Sequence, residues 1–369
     1  MLQQLQPEQY ASVRKLFQGE PPPLYCEAIL TGKYPGKVIV DEPASPQSAL
    51  IIKDAWCHLL GDAANEAFNA ALQAELADKK LIGEDRRVLF FVDPAPTWLK
   101  VLPELVADRQ PIPMPRCLYV ATPAYIAPTL SLPDGFELHF IDESIVDIVE
   151  GELPDDVQKV LVLRREAEVP DEVAFGFVAV NGRIITAWSV IDFIIGTVGE
   201  IRLVTESAYR RRGLALATSA ATITYGLAHG LQQIDWNVAA SNIPSVRAAQ
   251  KLNLPLLHEP MEYMLIFPKI SYLINLAWSH LDADDFEQVH AVTQQMVTSD
   301  KAMLVQYGEF LAASAWAGLG EPDKAIAHLN KAVAAGFNDL SSMENGRHLA
   351  ILHHLPQWQE LIERIQSAK

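Results

Sequence analysis

The sequence predicts an α/β protein of two mixed lobes followed by an all-α segment. Three observations carry this reading. Residues 136–267 run strand, helices, three strands, helix, strand, helix, strand, the order of a mixed α/β layer. Residues 1–135 mix short strands and helices in the same style. Beyond residue 268 the strand signals vanish and helical periodicity dominates. A chain of 369 residues has room for two or three domains, divided here as 1–135, 136–267 and 268–369.

In the first lobe, Lys37–Val40, Ala49–Lys53 and Arg87–Asp93 are apolar, rich in Val, Ile and Phe, and bounded by Pro or Asp, as strands are. Gly61–Ala77 is helical by period, with Ala64, Phe68, Ala71, Leu72 and Leu76 on one stripe. The proline clusters at 21–23 and 111–115 mark loops.

The second lobe follows the turn Leu132-Pro133-Asp134-Gly135. Its strands are Phe136–Ile141, Phe175–Val180, Arg183–Asp192, Gly199–Thr205, Gln233–Ala239 and one near Glu262–Phe267. Helices are expected over Leu214–Gly230 and Ile243–Leu252. Asn181-Gly182 is the two-residue turn of a hairpin.

The last hundred residues hold two units at 36-residue spacing. One carries Leu273, Leu276, Ala277, Val289 and Met296; the other carries Ala313, Trp316, Gly320, Ala325, Leu329 and Ala332. Small residues recur where paired helices touch, as in a tetratricopeptide array of about 34 residues per repeat. A generic helical bundle gives the same signals. Two units and a terminal helix are fewer than a free-standing array needs, so the block is expected to dock on the rest of the chain or to serve a protein partner.

Charge excludes some functions. Lys and Arg total 29 against 46 Asp and Glu, a net charge of −17. Such a chain is a poor binder of nucleic acid or anionic membrane, which need a basic face, and suits a cationic or amine substrate better. Cys26, Cys57 and Cys117 form no CxxC, and their odd number argues against a disulfide framework. The opening MLQQLQPEQY has neither the basic nor the apolar part of a signal peptide. Apolar stretches such as Ile184–Val198 carry polar interruptions and fall short of a membrane span. The expected compartment is the cytoplasm.

Chemistry concentrates in Glu200-Ile201-Arg202-Leu203-Val204-Thr205-Glu206-Ser207-Ala208-Tyr209-Arg210-Arg211-Arg212-Gly213-Leu214-Ala215. A strand enters a turn and then a helix. The first N–H groups of a helix are unpaired and the helix dipole makes that end positive. Gly213 lets a ligand approach the backbone and Ala215 keeps the next turn clear. This is a cradle for a pyrophosphate. It is no Walker loop, since no Gly-Lys-Ser/Thr follows, and no dinucleotide fingerprint, since it has one glycine where three are needed.

Arg210-x-x-Gly213-x-Ala215 resembles the Arg/Gln-x-x-Gly-x-Gly/Ala motif of the GNAT acyltransferase superfamily, which binds the pyrophosphate of acetyl-CoA. Leu203-Val204-Thr205 stands where that family pairs its backbone with the pantetheine arm. Trp236-Asn237, then Asn242-x-x-Ser245, and Lys251-Leu252-Asn253-Leu254 continue the likeness over residues 136–267. The first lobe, with Gly36–Asp41, Pro46, Ala49 and Gly61–Phe68, looks like the N-terminal half of a two-lobed bacterial group. In that group this half lacks the cradle and is structural or shapes the acceptor site.

The resemblance implies a GNAT fold in tandem lobes and acetyl-CoA held by Leu203, Val204, Thr205, Arg210, Arg211, Arg212, Gly213, Leu214, Ala215, Asn242 and Ser245. It implies transfer to a small-molecule or peptide amine without a metal. It places a catalytic glutamate at Glu200, with Glu206 the second choice. The family's acid is often a tyrosine seven residues beyond the asparagine; here that position is Ala249, leaving Tyr225 and Tyr263 as substitutes. A thiolate of ordinary pKa leaves without a dedicated acid. The alternative is a non-catalytic acyl-CoA-binding regulatory protein with a helical partner platform. His348, His353 and His354 lack the spaced partners of a metal site, Ser207 and Ser245 lack a His–Asp pair, and Asp282–Asp285 reads as an interhelical turn.

Overall fold

The computed structural model describes residues 2–17, 22–53, 56–77, 87–93, 95–105, 109–169 and 172–367; Pro21 of the first proline cluster lies outside them. In chain order the strands are β1 Gln3–Gln4, β2 Lys37–Val40, β3 Ser48–Lys53, β4 Trp56–Gly61, β5 Arg87–Asp93, β6 Ile112–Ala121, β7 Phe136–Phe140, β8 Phe175–Asn181, β9 Ile184–Ile195, β10 Val198–Thr205, β11 Gln233–Ala239, β12 Leu256–His258 and β13 Met261–Ile266. The helices are α1 Leu24–Leu30, α2 Glu66–Ala77, α3 Ala95–Leu105, α4 Ile145–Ile148, α5 Asp155–Glu166, α6 Leu214–Ala228, α7 Ile243–Lys251, α8 Lys269–Asp282, α9 Phe286–Val297, α10 Ala302–Gly318, α11 Pro322–Ala334, α12 Leu340–Asn345 and α13 Pro356–Ser367.

Two compact units form. Met1–Gly19, Gly36–Met114 and Tyr263–Lys369 make the first; Glu20–Pro35 and Pro115–Glu262 make the second. These cuts do not coincide with divisions at 135 and 267. β6 pairs with β11, which draws the residues after 115 into the second unit. The helices beyond 268 share a core with strand residues of the first.

In the first unit the sheet order is β1-β2-β3-β4-β5-β13, with β4 and β5 parallel. Leu50, Leu59, Phe68, Leu72, Trp98, Leu102 and Leu265 form one core beneath α2 and α3. The helix expected from Gly61 begins only at Glu66, and β4 was not expected at all. Gly61 ends β4 at φ +81°, where an added Cβ would collide with the Gln47 carbonyl oxygen. Asn65 Oδ1 then accepts from Phe68 N at 3.1 Å and starts the helix.

The helical block pairs α8 with α9 and α10 with α11. Leu273, Ala277, Val289, Met296, Ala313, Ala325, Leu329 and Ala332 are all buried, and the same core contains Ile112, Met264 and Ile266. Burying an aliphatic side chain is worth about 1.5–3 kcal/mol, and the excised fragment 268–369 lacks all three of these. It is expected to melt well below the full chain, or to self-associate, when followed by circular dichroism and sedimentation. A monomeric fragment as stable as the full chain would overturn this.

In the second unit the order is β6-β11-β10-β9-β8-β7, with β12 on the β6 side. β10 and β11 are parallel and the rest antiparallel. On one face Ile201, Ile223, Ile234, Trp236, Val238 and Ala249 pack under α6 and α7. On the other, α5 brings Val157 and Val160 onto Val178, Trp188 and Val190. The proline-rich stretch 111–115, expected as a loop, mostly belongs to β6. Pro113 and Pro115 are two apart, so their missing N–H groups lie on one edge, and the Pro115 carbonyl still accepts from Ala240 N at 2.8 Å.

Candidate active site

The β10–β11 ladder is short. It joins Val198 to Gln233, Gly199 to Ile234 and Glu200 to Asp235, and ends there. β11 continues to Ala239 against β6, while β10 continues to Thr205 against β9. Beyond Glu200 the two strands part. The β10 backbone groups on that side, over Ile201–Thr205, have no ladder partner, and a buried backbone group needs one. Glu200 itself sits at a register shift between Gly199 and Ile201 and is half-buried at the head of the gap. Val204 is exposed, Leu203 and Thr205 are half-buried, and the Thr205 hydroxyl is enclosed without a hydrogen-bond partner.

Downstream of β10 the chain turns into α6. Gly213 is its N-cap at φ +81°, ψ 1°, and an added Cβ would meet nothing within 4 Å. No side chain caps the helix, so its first N–H groups face open space. Leu214 is buried against Ala179 and Ala187 and anchors the first turn; Ala215 is half-buried. Arg210 Nε donates to the Thr205 carbonyl at 3.2 Å, tying the loop to the strand end. The Arg212 guanidinium lies 5.5 Å from the Tyr209 ring centroid and 6.0 Å from that of Phe136. Arg211 is exposed, with its backbone left-handed at φ 63°. A positive helix N-terminus with an unoccluded glycine, preceded in the chain by three arginines, fits a pyrophosphate.

Asn242 and Ser245 are already engaged. Asn242 Oδ1 caps α7 by accepting from Ser245 N at 3.3 Å, and Ser245 Oγ accepts from Trp236 Nε1 at 3.1 Å. They hold α7 against β11. Ala249 is fully buried and belongs to the core under α6 and α7. Tyr225 stacks on His229 at 3.8 Å and packs on Phe140 and Phe175, as a core aromatic does. Tyr263 packs on the core of the first unit. Glu206 is exposed, and its N–H donates to the Thr186 carbonyl at 2.9 Å.

The sheet face that carries Glu200 is charged. Burial opposes ionisation of Asp192, but Lys159 at 2.6 Å and Arg202 at 2.6 Å outweigh it and hold the carboxyl below its ordinary range. Sequence reasoning missed Glu262. It is fully buried, and Arg116 Nε lies 3.1 Å from its Oε1. That nitrogen has one hydrogen, which it donates to Asn237 Oδ1 at 3.1 Å, so neither oxygen of Glu262 receives a hydrogen bond. Burial pushes the Glu262 carboxyl up to about 7; Arg116 opposes the shift and Glu200 adds to it. The signal was available: strand alternation puts Glu262 in line with Met264 and Ile266.

A groove of about 620 Å³ runs along α6 past Leu138, Phe177, Ala217, Ala221 and Tyr225. It is almost wholly apolar and holds none of the carboxylates. Among the described residues no cluster of three His, Cys, Asp or Glu could hold a metal ion, and no helix is long and apolar enough to cross a membrane.

The chain is similar to known proteins. The family model described as GNAT acetyltransferase matches residues 14–259. An uncharacterised N-acetyltransferase of Bacillus subtilis, YdfB, is 25% identical over 253 residues, which is 68% of this chain and 94% of that protein. The crystal structure of a GCN5-related N-acetyltransferase from Sphaerobacter thermophilus superposes at TM-score 0.52 and 13% identity, over 72% of this chain and 95% of that one. A GCN5-related N-acetyltransferase-like protein from Streptococcus suis matches at TM-score 0.48 and 20% identity, over 69% and 98%. Parted parallel strands, an open glycine-capped helix and a family match over well over half of the sequence agree: the chain belongs to the GNAT acetyltransferase family and is an N-acetyltransferase of that kind.

Proposed function

We propose that the protein transfers the acetyl group of acetyl-CoA to an amine in the gap between β10 and β11. The observation that carries this is the end of the β10–β11 ladder at Glu200, which leaves the rest of β10 unpaired on that side up to the loop that leads into the uncapped N-terminus of α6. Acetyl-CoA, when bound, supplies a thioester whose carbonyl carbon accepts the amine. Leu214 and Ala215 N–H groups, with Gly213 and the side chains of Arg210, Arg211 and Arg212, hold the pyrophosphate. The backbone of Leu203, Val204 and Thr205 pairs with the pantetheine arm. An N–H at Val204 polarises the thioester carbonyl, because a fixed donor aimed at developing charge needs no reorganisation. Asn242 and Ser245 fix the α7 end of the gap. Glu200 takes the proton from the amine, directly or through one water.

The first lobe is read as a second, degenerate GNAT lobe. The helical block is read as tetratricopeptide-like and docked on its own chain. An acidic chain with three cysteines that are all buried and free suits the reducing cytoplasm. The test is release of CoA thiol from acetyl-CoA over a panel of diamines, amino acids and peptide N-termini. Amine-dependent release supports the reading. Calorimetric binding of acetyl-CoA with no release for any amine would make the chain an acyl-CoA-binding protein instead.

A further inference from the structure

Where β10 and β11 part, the β11 side of the gap carries an amide. Asp235 is the last β11 residue in the ladder, opposite Glu200, and Asn237 stands two residues further on. Ile234, Trp236 and Val238 enter the core under α6 and α7, so Asp235 and Asn237 project from the other face of the sheet. Glu200 shares that face. Its neighbour Ile201 belongs to the core, and a Cβ on Gly199 would meet Ile191 and Leu231 of the same core. Glu200, Asp235 and Asn237 therefore lie together on two adjacent strands, at the mouth of the gap.

The direction of the Asn237 amide is set from β6. Arg116 Nε donates to Asn237 Oδ1 at 3.1 Å, and an Arg116 NH2 group donates to the Asn237 backbone carbonyl at 3.3 Å. A guanidinium has donors only, so the amide must turn its oxygen to Arg116 and its NH2 away. Arg116 is itself held: its backbone N–H donates to the Pro260 carbonyl at 2.9 Å, and the fully buried Glu262 lies 3.1 Å from its Nε. β6 flanks β11 on one side and the gap opens on the other, so the NH2 turned from Arg116 faces the gap. Asn237 is half-buried, and its Nδ2 has no acceptor among the described residues. A donor fixed in direction and left without a partner discriminates in favour of a ligand that brings an oxygen. The carboxyls of Glu200 and Asp235 on the same face suit an ammonium and oppose a further carboxylate.

We propose that Asn237 selects the acceptor: its Nδ2 donates to an uncharged oxygen close to the reacting amine, so that the acceptor is an amino amide or amino alcohol rather than a plain alkylamine or an amino acid. This deepens the transfer reading and rests on it.

The experiment follows release of CoA thiol at saturating acetyl-CoA with glycinamide, n-propylamine and glycine, in wild type and Asn237→Asp. That substitution keeps the oxygen that Arg116 binds and exchanges only the NH2. Its added charge acts on glycinamide and propylamine alike, and dividing wild type by variant for each amine cancels their different reactivities. kcat/KM is expected to fall about tenfold further for glycinamide than for propylamine, the order of one lost hydrogen bond, through a rise in KM. A residue that only braces Arg116 would change both amines equally, and that result would overturn the proposal. Asn237→Ala gives the same comparison should Asn237→Asp not fold. A wild type that uses glycine better than glycinamide would overturn the uncharged oxygen. Release with propylamine alone would overturn the selection and leave the transfer reading standing. No release with any of the three amines, while calorimetry shows acetyl-CoA bound, would overturn both.

Discussion

Gly213→Asp is expected to weaken acetyl-CoA binding at least about 100-fold. Two effects add. An L-residue at φ +81° is strained, at a cost of roughly 1–2 kcal/mol that falls on the fold. The carboxylate would also stand in the open space before the α6 N-terminus, where the proposed cradle would hold the diphosphate. Like-charge juxtaposition costs several kcal/mol, and each 1.4 kcal/mol is about tenfold in affinity. Gly213→Ala separates the two, since it keeps the strain and omits the charge. It should lower the melting temperature by a similar amount yet bind far better than the aspartate variant. Calorimetry on the three proteins decides the matter. Equal affinity in wild type and Gly213→Asp would remove the pyrophosphate from this helix end.

Glu200→Gln is expected to lower turnover by about 10²–10⁴-fold, the usual worth of a positioned general base. Acetyl-CoA affinity should barely change, because the variant keeps size and polarity and loses only the proton acceptor. A parallel fall in both quantities would mark Glu200 as a structural residue of the β10 bulge. If neither falls, Glu206 is the next residue to test, as it stands one residue beyond the end of β10.

The residues that met in the site were those whose pattern is local. Strand, turn, glycine and helix lie within sixteen consecutive residues, so the Gly213 cap and the α6 start could be read directly. β8, β9 and β11 were legible for the same reason, each being an apolar run bounded by turn residues. β4 was not, because Trp56–Leu60 leads straight into a helical stripe and only the Gly61–Gln47 contact separates the two. β6 was hidden by prolines that look like loop residues until their two-residue spacing is set against a strand edge. Glu262 was missed because its meaning depends on Arg116, 146 positions earlier in the chain. Asn242 and Ser245 illustrate the reverse: the motif was visible, while the helix cap and the Trp236 bond that occupy their side chains belong to the folded chain.

The first unit is built from the two ends of the polypeptide. Strand β5 takes as a neighbour β13, with Arg87 opposite Ile266, and the core that receives Ile112 is closed by helices from the last hundred residues. The second unit needs nothing beyond Glu262. At synthesis rates of roughly 5–20 residues per second, one side of β5 waits on the order of ten seconds or more for its partner to leave the ribosome. The order of maturation thus runs against the order of translation: the second unit can settle while the N-terminal half still presents an open strand edge. Pairing so distant in sequence is slow to form and exposed to aggregation meanwhile. A chain released through Glu262 but not yet through Ile266 would therefore display a completed second unit and an unfinished N-terminal sheet, a state that a chaperone holding β5 would be expected to recognise.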